Sequence, residues 1–131
     1  MHKEILRDIG EKELINRLGN FMPKNQASDD CALIKTKNDN LLVNNDALVE
    51  NVHFNDTTIC PQDLGWKAVV SNLSDLLSSG SKKTLGITIS LILPPKTEWT
   101  WVEELYIGSV VRFNGNPFPS VKLSTILKLV N

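Results

Sequence analysis

Cysteine, aromatic side chains and net charge are all scarce in this 131-residue chain, and each scarcity removes a class of function. The only cysteines are Cys31 and Cys60, in no C-x-x-C or Cys/His spacing, so neither a zinc site nor a redox pair is encoded. Reduced, structural thiols are the expectation. A net charge of −1 provides no bulk attraction to nucleic acid or to an anionic membrane. No apolar run approaches the ~20 residues that span a bilayer. The N-terminal M-H-K-E-I-L-R-D-I-G lacks the apolar centre of a signal peptide, so a cytoplasmic protein is expected. There is no G-x-x-x-x-G-K-[ST] loop, no G-x-G-x-x-G and no serine or cysteine in a nucleophile elbow. No side chain is therefore nominated as a catalytic nucleophile or base.

What is present is a hydrophobic fraction of 41%, enough for a core in a domain of ordinary size. Leu14, Ile15, Leu18 and Phe21 recur at helical spacing over residues 11–21, with Gly10 before them and Pro23 after. Residues 31–36 and 41–46 are two short apolar runs around K-N-D-N, which predicts a β-hairpin. Residues 47–54, A-L-V-E-N-V-H-F, read as extended chain or a bent strand, and residues 55–58 as a loop. Pro61, followed by Gln62 and Asp63, opens a helix that runs to about Ser79, and Gly80 ends it. Trp66, Val69, Val70, Leu73, Leu76 and Leu77 are its expected buried stripe. Ala68, Asn72, Asp75 and Ser79 form a smaller, more polar stripe beside it, where a backbone or a ligand can come close.

Residues 84–93 alternate: Leu85, Ile87, Ile89, Leu91 and Leu93 share one face, and Thr84, Gly86, Thr88 and Ser90 the other. Pro94-Pro95 ends this strand. Thr97 is the expected cap of a last helix, with Trp99 and Trp101 packing it on the sheet and Leu105 and Gly108 marking its spacing. Residues 121–131, V-K-L-S-T-I-L-K-L-V-N, suit either a short amphipathic helix or a strand. The order helix, hairpin, extended segment, helix, strand, helix predicts an α/β (α+β) fold, a mixed sheet with helices on one face. A long regular strand at 84–93 also needs its edge covered, and pairing across a two-fold axis would do so, so a homodimer is expected.

Three acidic places stand out. Asp29 and Asp30 precede the first hairpin strand, Asp46 follows Asn44-Asn45 at the end of the second, and Asp75 lies on the long helix. An antiparallel hairpin brings its open ends together, which groups Asp29 and Asp30 with Asp46. Clustered carboxylates with neighbouring amide oxygens suit a hard cation such as Mg²⁺, which shares its coordination shell with water and substrate phosphates. The same residue types also serve as turn and capping groups. His53, in V-E-N-V-H-F, is either held by a backbone partner or free to contact a substrate. Lys67 reads as a helix-surface charge. Tyr106 either covers the core or meets a nucleotide.

In sequence order, G-E-K-E-L-I-N-R-L, D-D-C-A-L-I, N-D-A-L-V-E-N-V-H-F, P-Q-D-L-G-W-K-A-V-V-S-N-L-S-D-L-L-S-S-G, I-T-I-S-L-I-L-P-P and W-V-E-E-L-Y-I-G resemble the N-terminal part of the thiamine-monophosphate kinases. These belong to the superfamily of aminoimidazole ribonucleotide synthetase. The resemblance runs from about Gly10 to Gly108 and is most specific from Asp46 to Gly80. It implies transfer of the ATP γ-phosphate to thiamine phosphate with several Mg²⁺ ions. It implies Asp29, Asp30, Asn44, Asn45, Asp46 and Asp75 as metal ligands, His53 as a substrate contact and Tyr106 near the nucleotide. It also implies a homodimer that closes a β-barrel, with a second α/β domain following.

The chain departs from that pattern in three places. Ser28 stands where a glycine precedes the paired aspartates, with Gln26 or Ala27 at another expected glycine. Asn44-Asn45 replaces hydroxyl residues. The resemblance stops near Val110, so residues 1–111 read as the metal and nucleotide domain and residues 112–131 as a divergent tail. The G-G-D-T segment and the family's second domain are not in this sequence. A non-catalytic remnant that dimerises or binds Mg-nucleotide, or another synthetase of the superfamily, are the alternative readings.

Overall fold

A computed structural model describes residues 4–23, 31–114 and 122–130, with side chains described up to residue 110 and at 128 and 130. Asp29 and Asp30 lie outside the described residues. The chain divides into two units, Met1–Asn45 and Asp46–Asn131.

In the first unit a short helix α1 (Leu6–Ile9) leads through Gly10 into α2 (Glu11–Leu18), which tightens into a 3₁₀ turn at Gly19–Phe21. The helical spacing is as expected, but the apolar stripe is not buried. Ile15 and Leu18 are exposed and Phe21 is 88% exposed. Arg17 instead braces this segment, donating to Glu4 through Nη1 and Nη2 and to Glu13 through Nε.

The predicted hairpin forms from β1 (Cys31–Lys35) and β2 (Asn40–Asn44), antiparallel, with Cys31 opposite Asn44 and Lys35 opposite Asn40. Its turn closes because Thr36 and Asp39 bond twice over: the Thr36 N–H and hydroxyl both donate to the Asp39 carbonyl, at 2.9 and 2.7 Å. The Asp39 N–H returns a bond to the Thr36 hydroxyl.

Within residues 47–54, expected as extended chain or a bent strand, residues 49–54 form a turn instead. The N–H groups of Val52 and His53 both donate to the Val49 carbonyl, Asn51 adopts a left-handed φ of 62°, and its N–H reaches the Phe54 carbonyl. The chain thus turns back on itself, closed by a bridge between Glu50 and Phe54. Asparagine accepts this φ because its short polar side chain tolerates the left-handed region. Asn55 then organises the following turn, its Oδ1 accepting from the Thr57 N–H and hydroxyl.

Helix α3 (Pro61–Ser78) has proline in its first turn, where the missing N–H costs nothing. It ends in a Schellman motif: the Ser81 N–H bonds the Leu76 carbonyl and the Gly80 N–H the Leu77 carbonyl, with Gly80 at φ 86°. The buried positions are Leu64, Gly65, Val69 and Leu73. Trp66 and Leu77, expected in the core, are 44% and 57% exposed. Val69 and Leu73 are buried as expected, and the buried face extends to Leu64 and Gly65 instead of Trp66, because α4 (Trp99–Asn114) packs where α3 has no side chain. A Cβ on Gly65 would strike the Leu105 carbonyl, and one on Gly108 the Gln62 carbonyl. Ser109, fully buried in this contact, returns its hydroxyl to the Leu105 carbonyl at 2.9 Å.

Strand β3 (Gly86–Leu93) shows the expected alternation, with Ile87, Ile89, Leu91 and Leu93 the better covered. It starts two residues later than expected, and at that start the order reverses, with Thr84 buried and Leu85 exposed. Glu98, not Thr97, flanks the start of α4, and Trp99 is 71% exposed rather than packed on the sheet. Helix α4 continues to Asn114, and residues 122–129 resolve the helix-or-strand alternative as β4 (Lys122–Leu129). This strand is parallel to β3 in unbroken register from Gly86–Lys122 to Leu93–Leu129. The order β3–α4–β4 is a crossover unit, which parallel strands require. The observed mixture of hairpin, helices and parallel pair is the α/β architecture that the pattern predicted.

Candidate functional site

The candidate residues divide between the two units. In the first, Asn44 is half-buried at the end of β2 and Asn45 is exposed just after it. The hairpin register sets Cys31, the residue after Asp30 in the chain, opposite Asn44. In the second unit Asp46 is exposed, and its Oδ1 accepts the N–H of Ala47 at 2.8 Å. Asp75 is half-buried on α3, near the Schellman end of the helix, and Tyr106 is half-buried on α4 two residues before the Gly108 contact. Among the described residues no group of three or more His, Cys, Asp or Glu side chains gathers closely enough to hold a metal ion. No helix among them is long and apolar enough to cross a membrane.

His53 has the most specific geometry of the candidates. Its Nδ1 accepts the N–H of Val49 at 3.0 Å, while its own N–H donates to the Val49 carbonyl at 2.9 Å. Residues 49 and 53 are thus joined by two bonds in opposite directions. A ring nitrogen that accepts a hydrogen bond carries no proton, so a neutral His53 carries its proton on Nε2. The His53 carbonyl in turn accepts from the Lys67 ammonium at 3.2 Å. Lys67 is therefore more than a surface charge, since it fastens the 49–54 turn to α3. Fourteen residues separate the pair, and nothing in the local spacing announces it.

The small polar stripe of α3 is half-buried at Ala68, Asn72, Asp75 and Ser79, as expected of a face that something approaches. Asn72 Nδ2 donates to the Ala68 carbonyl at 2.9 Å. A close backbone approach to α3 lies elsewhere, at Gly65. Pattern reading missed it because a glycine adds nothing to a hydrophobic stripe.

Residues 28–113 match the model of the AIR synthase related protein, N-terminal domain. A chain with this order of elements and this match belongs to that family. Within it the chain is a homologue of the thiamine-monophosphate kinases. It is 47% identical over 112 residues to the thiamine-monophosphate kinase of Prochlorococcus marinus, a match covering 86% of this chain and 34% of that protein. It is 37% identical over 109 residues to the enzyme of Synechococcus elongatus, covering 82% and 33%. The chain therefore spans about a third of the length of these relatives. Among solved structures, "AaThiL complexed with AMPPCP and TMP" aligns with all of this chain and 41% of its own, at a TM-score of 0.87 and 27% identity. The thiamine monophosphate kinase of Aquifex aeolicus aligns with 97% of this chain at a TM-score of 0.80.

Proposed function

We propose that this chain is the metal- and nucleotide-binding portion of a cytoplasmic thiamine-phosphate kinase. The observation that carries the reading is the likeness of the whole chain to a solved structure of a complex with AMPPCP and TMP. AMPPCP is an ATP analogue, and the pair corresponds to the two substrates of a phosphoryl transfer between ATP and thiamine phosphate. In that reaction a phosphate oxygen of thiamine phosphate attacks the γ-phosphorus of ATP. The bond from that phosphorus to the β,γ-bridging oxygen breaks, and ADP leaves with the electron pair. The products are thiamine diphosphate and ADP.

The donor set fits magnesium in kind. Asp46 and Asp75 in the second unit, and Asn44 and Asn45 in the first, offer oxygen and no sulfur, and Asp29 and Asp30 add two more carboxylates. The resemblance makes each of these six residues a candidate ligand of Mg²⁺, which would supply charge neutralisation at the transferring phosphoryl group. Asp46 and Asp75 bring negative charge and Asn44 a neutral amide, so these side chains attract a cation and not the phosphates themselves. His53 contacts the thiamine phosphate and Tyr106 the nucleotide. A homodimer is part of the same reading.

The purified chain incubated with ATP, Mg²⁺ and thiamine phosphate tests the assignment, with thiamine diphosphate and ADP measured together. The two products are expected in equal amounts. ADP released with a different phosphate-bearing acceptor, and none with thiamine phosphate, would move the assignment to another branch of the family.

A further inference from the structure

The 49–54 turn is held by more bonds than a surface connection needs. Val49 and His53 exchange two hydrogen bonds, one of them through the imidazole. Asn51 carries the left-handed φ that lets the chain reverse, and its N–H ties to Phe54. Lys67 then reaches from the second turn of α3 to the His53 carbonyl. Val49, Asn51, His53 and Lys67 are exposed and Phe54 is only half-buried, so burial does not hold the turn in place.

The consequence is chemical. With Nδ1 occupied by an incoming N–H, neutral His53 has one group left to offer, the Nε2–H. Towards a ligand such an imidazole donates a hydrogen bond and does not accept one. It cannot take a proton from an attacking oxygen through Nε2, which already carries one, and Nδ1 is committed to Val49. This excludes a general-base role and suits recognition of an acceptor, such as a phosphate oxygen or a ring nitrogen.

We propose that Lys67 is a positioning residue: by anchoring the His53 carbonyl to α3 it keeps Nδ1 on the Val49 N–H and so presents Nε2–H as a fixed donor to the substrate. The substrate part of this rests on the thiamine-phosphate reading; the tautomer and its anchoring do not. A charge-assisted bond is stronger than a neutral one, and the planar guanidinium of arginine can keep it. Methionine keeps the length of the stem and loses the donor.

The test is a long-range ¹H–¹⁵N spectrum of the full chain labelled at histidine, at mildly alkaline pH, in a His2→Gln background that leaves one imidazole signal. The wild-type ring is expected to show Nδ1 unprotonated and Nε2 protonated. Lys67→Met should shift both nitrogens towards the averaged positions of a mobile imidazole, and Lys67→Arg should restore the wild-type pattern. An averaged or Nδ1-protonated pattern in the wild type would overturn the proposal. So would a Lys67→Met spectrum identical to the wild type in a protein with unchanged circular dichroism. Addition of thiamine phosphate separates the two readings. If the anchored tautomer is present but thiamine phosphate leaves the Nε2–H unmoved, the positioning role stands and the substrate assignment fails.

Discussion

Gly65 on α3 lies directly against the main-chain carbonyl of Leu105 on α4, with no room between them for a methyl group. Gly108 makes the reciprocal approach to Gln62. Two helices that bear candidate residues, Asp75 on one and Tyr106 on the other, are thus set at their distance by backbone rather than by side chains. Gly65→Ala is expected to destabilise the chain by about 1–3 kcal/mol, the usual cost of forcing an extra group into a packed contact. Gly108→Ala should cost as much, since its obstacle is also backbone. Thermal denaturation followed by circular dichroism measures both. A melting temperature unchanged in either variant would show that the helices separate freely.

Asn51 offers a backbone test of the 49–54 turn. Its φ of 62° is open to glycine and tolerable to asparagine, but costs a β-branched residue about 1–2 kcal/mol. Asn51→Gly should leave stability and the His53 imidazole signals near their wild-type values, while Asn51→Val should disturb both. Equal behaviour of the two variants would mean that the turn does not need a left-handed residue.

The Glu4–Arg17 contact makes a prediction about acid. Arg17, first through its hydrogen bonds and then through its charge, holds the Glu4 carboxyl below the usual carboxylate range. A carboxylate whose pKa is lowered by folding stabilises the fold above its unfolded value, and that contribution is lost as pH falls through the folded one. Both side chains are about half exposed, so the effect is small and weakened further by salt. Arg17→Met is expected to change stability little at neutral pH and to remove part of the acid-side decline below about pH 4.5. Urea unfolding of the two proteins across that range checks it, and identical pH profiles would contradict it.

Asp75→Asn removes a charge and keeps the shape of a half-buried side chain on α3. If Asp75 serves as a magnesium ligand, the affinity for Mg-nucleotide should fall on the order of tenfold or more, with the helix intact. Unchanged affinity would assign Asp75 to the structure of the helix end.

Most of the fold could be read from pattern because its elements are marked by local chemistry. Pro61 and Gly80 bound α3, the Thr36–Asp39 turn closes the hairpin, and the alternation at Ile87–Leu93 identifies a strand. What could not be read was set by long-range contacts. The buried face of α3 is turned away from Trp66 and Leu77 by Gly65, which hydrophobic periodicity ignores. The strand β4 carries apolar residues at spacings that suit both a helix and a strand, and its pairing with β3 decides between them. The chain reversal at 49–54 depends on Asn51 and on an imidazole-to-backbone bond, neither of which disturbs an apparently strand-like sequence. The acidic positions were legible as residue types. Their roles came from resemblance to a family, since carboxylates at turns and helix ends serve structure equally well.

The central claim, that this chain carries the Mg-nucleotide and thiamine-phosphate site of a kinase, is tested most directly by calorimetric titration of the purified chain with AMPPCP. Binding is expected in the presence of Mg²⁺, tighter with thiamine phosphate present and lost on addition of EDTA. No heat of binding under any of these conditions, or an affinity indifferent to Mg²⁺, would contradict it.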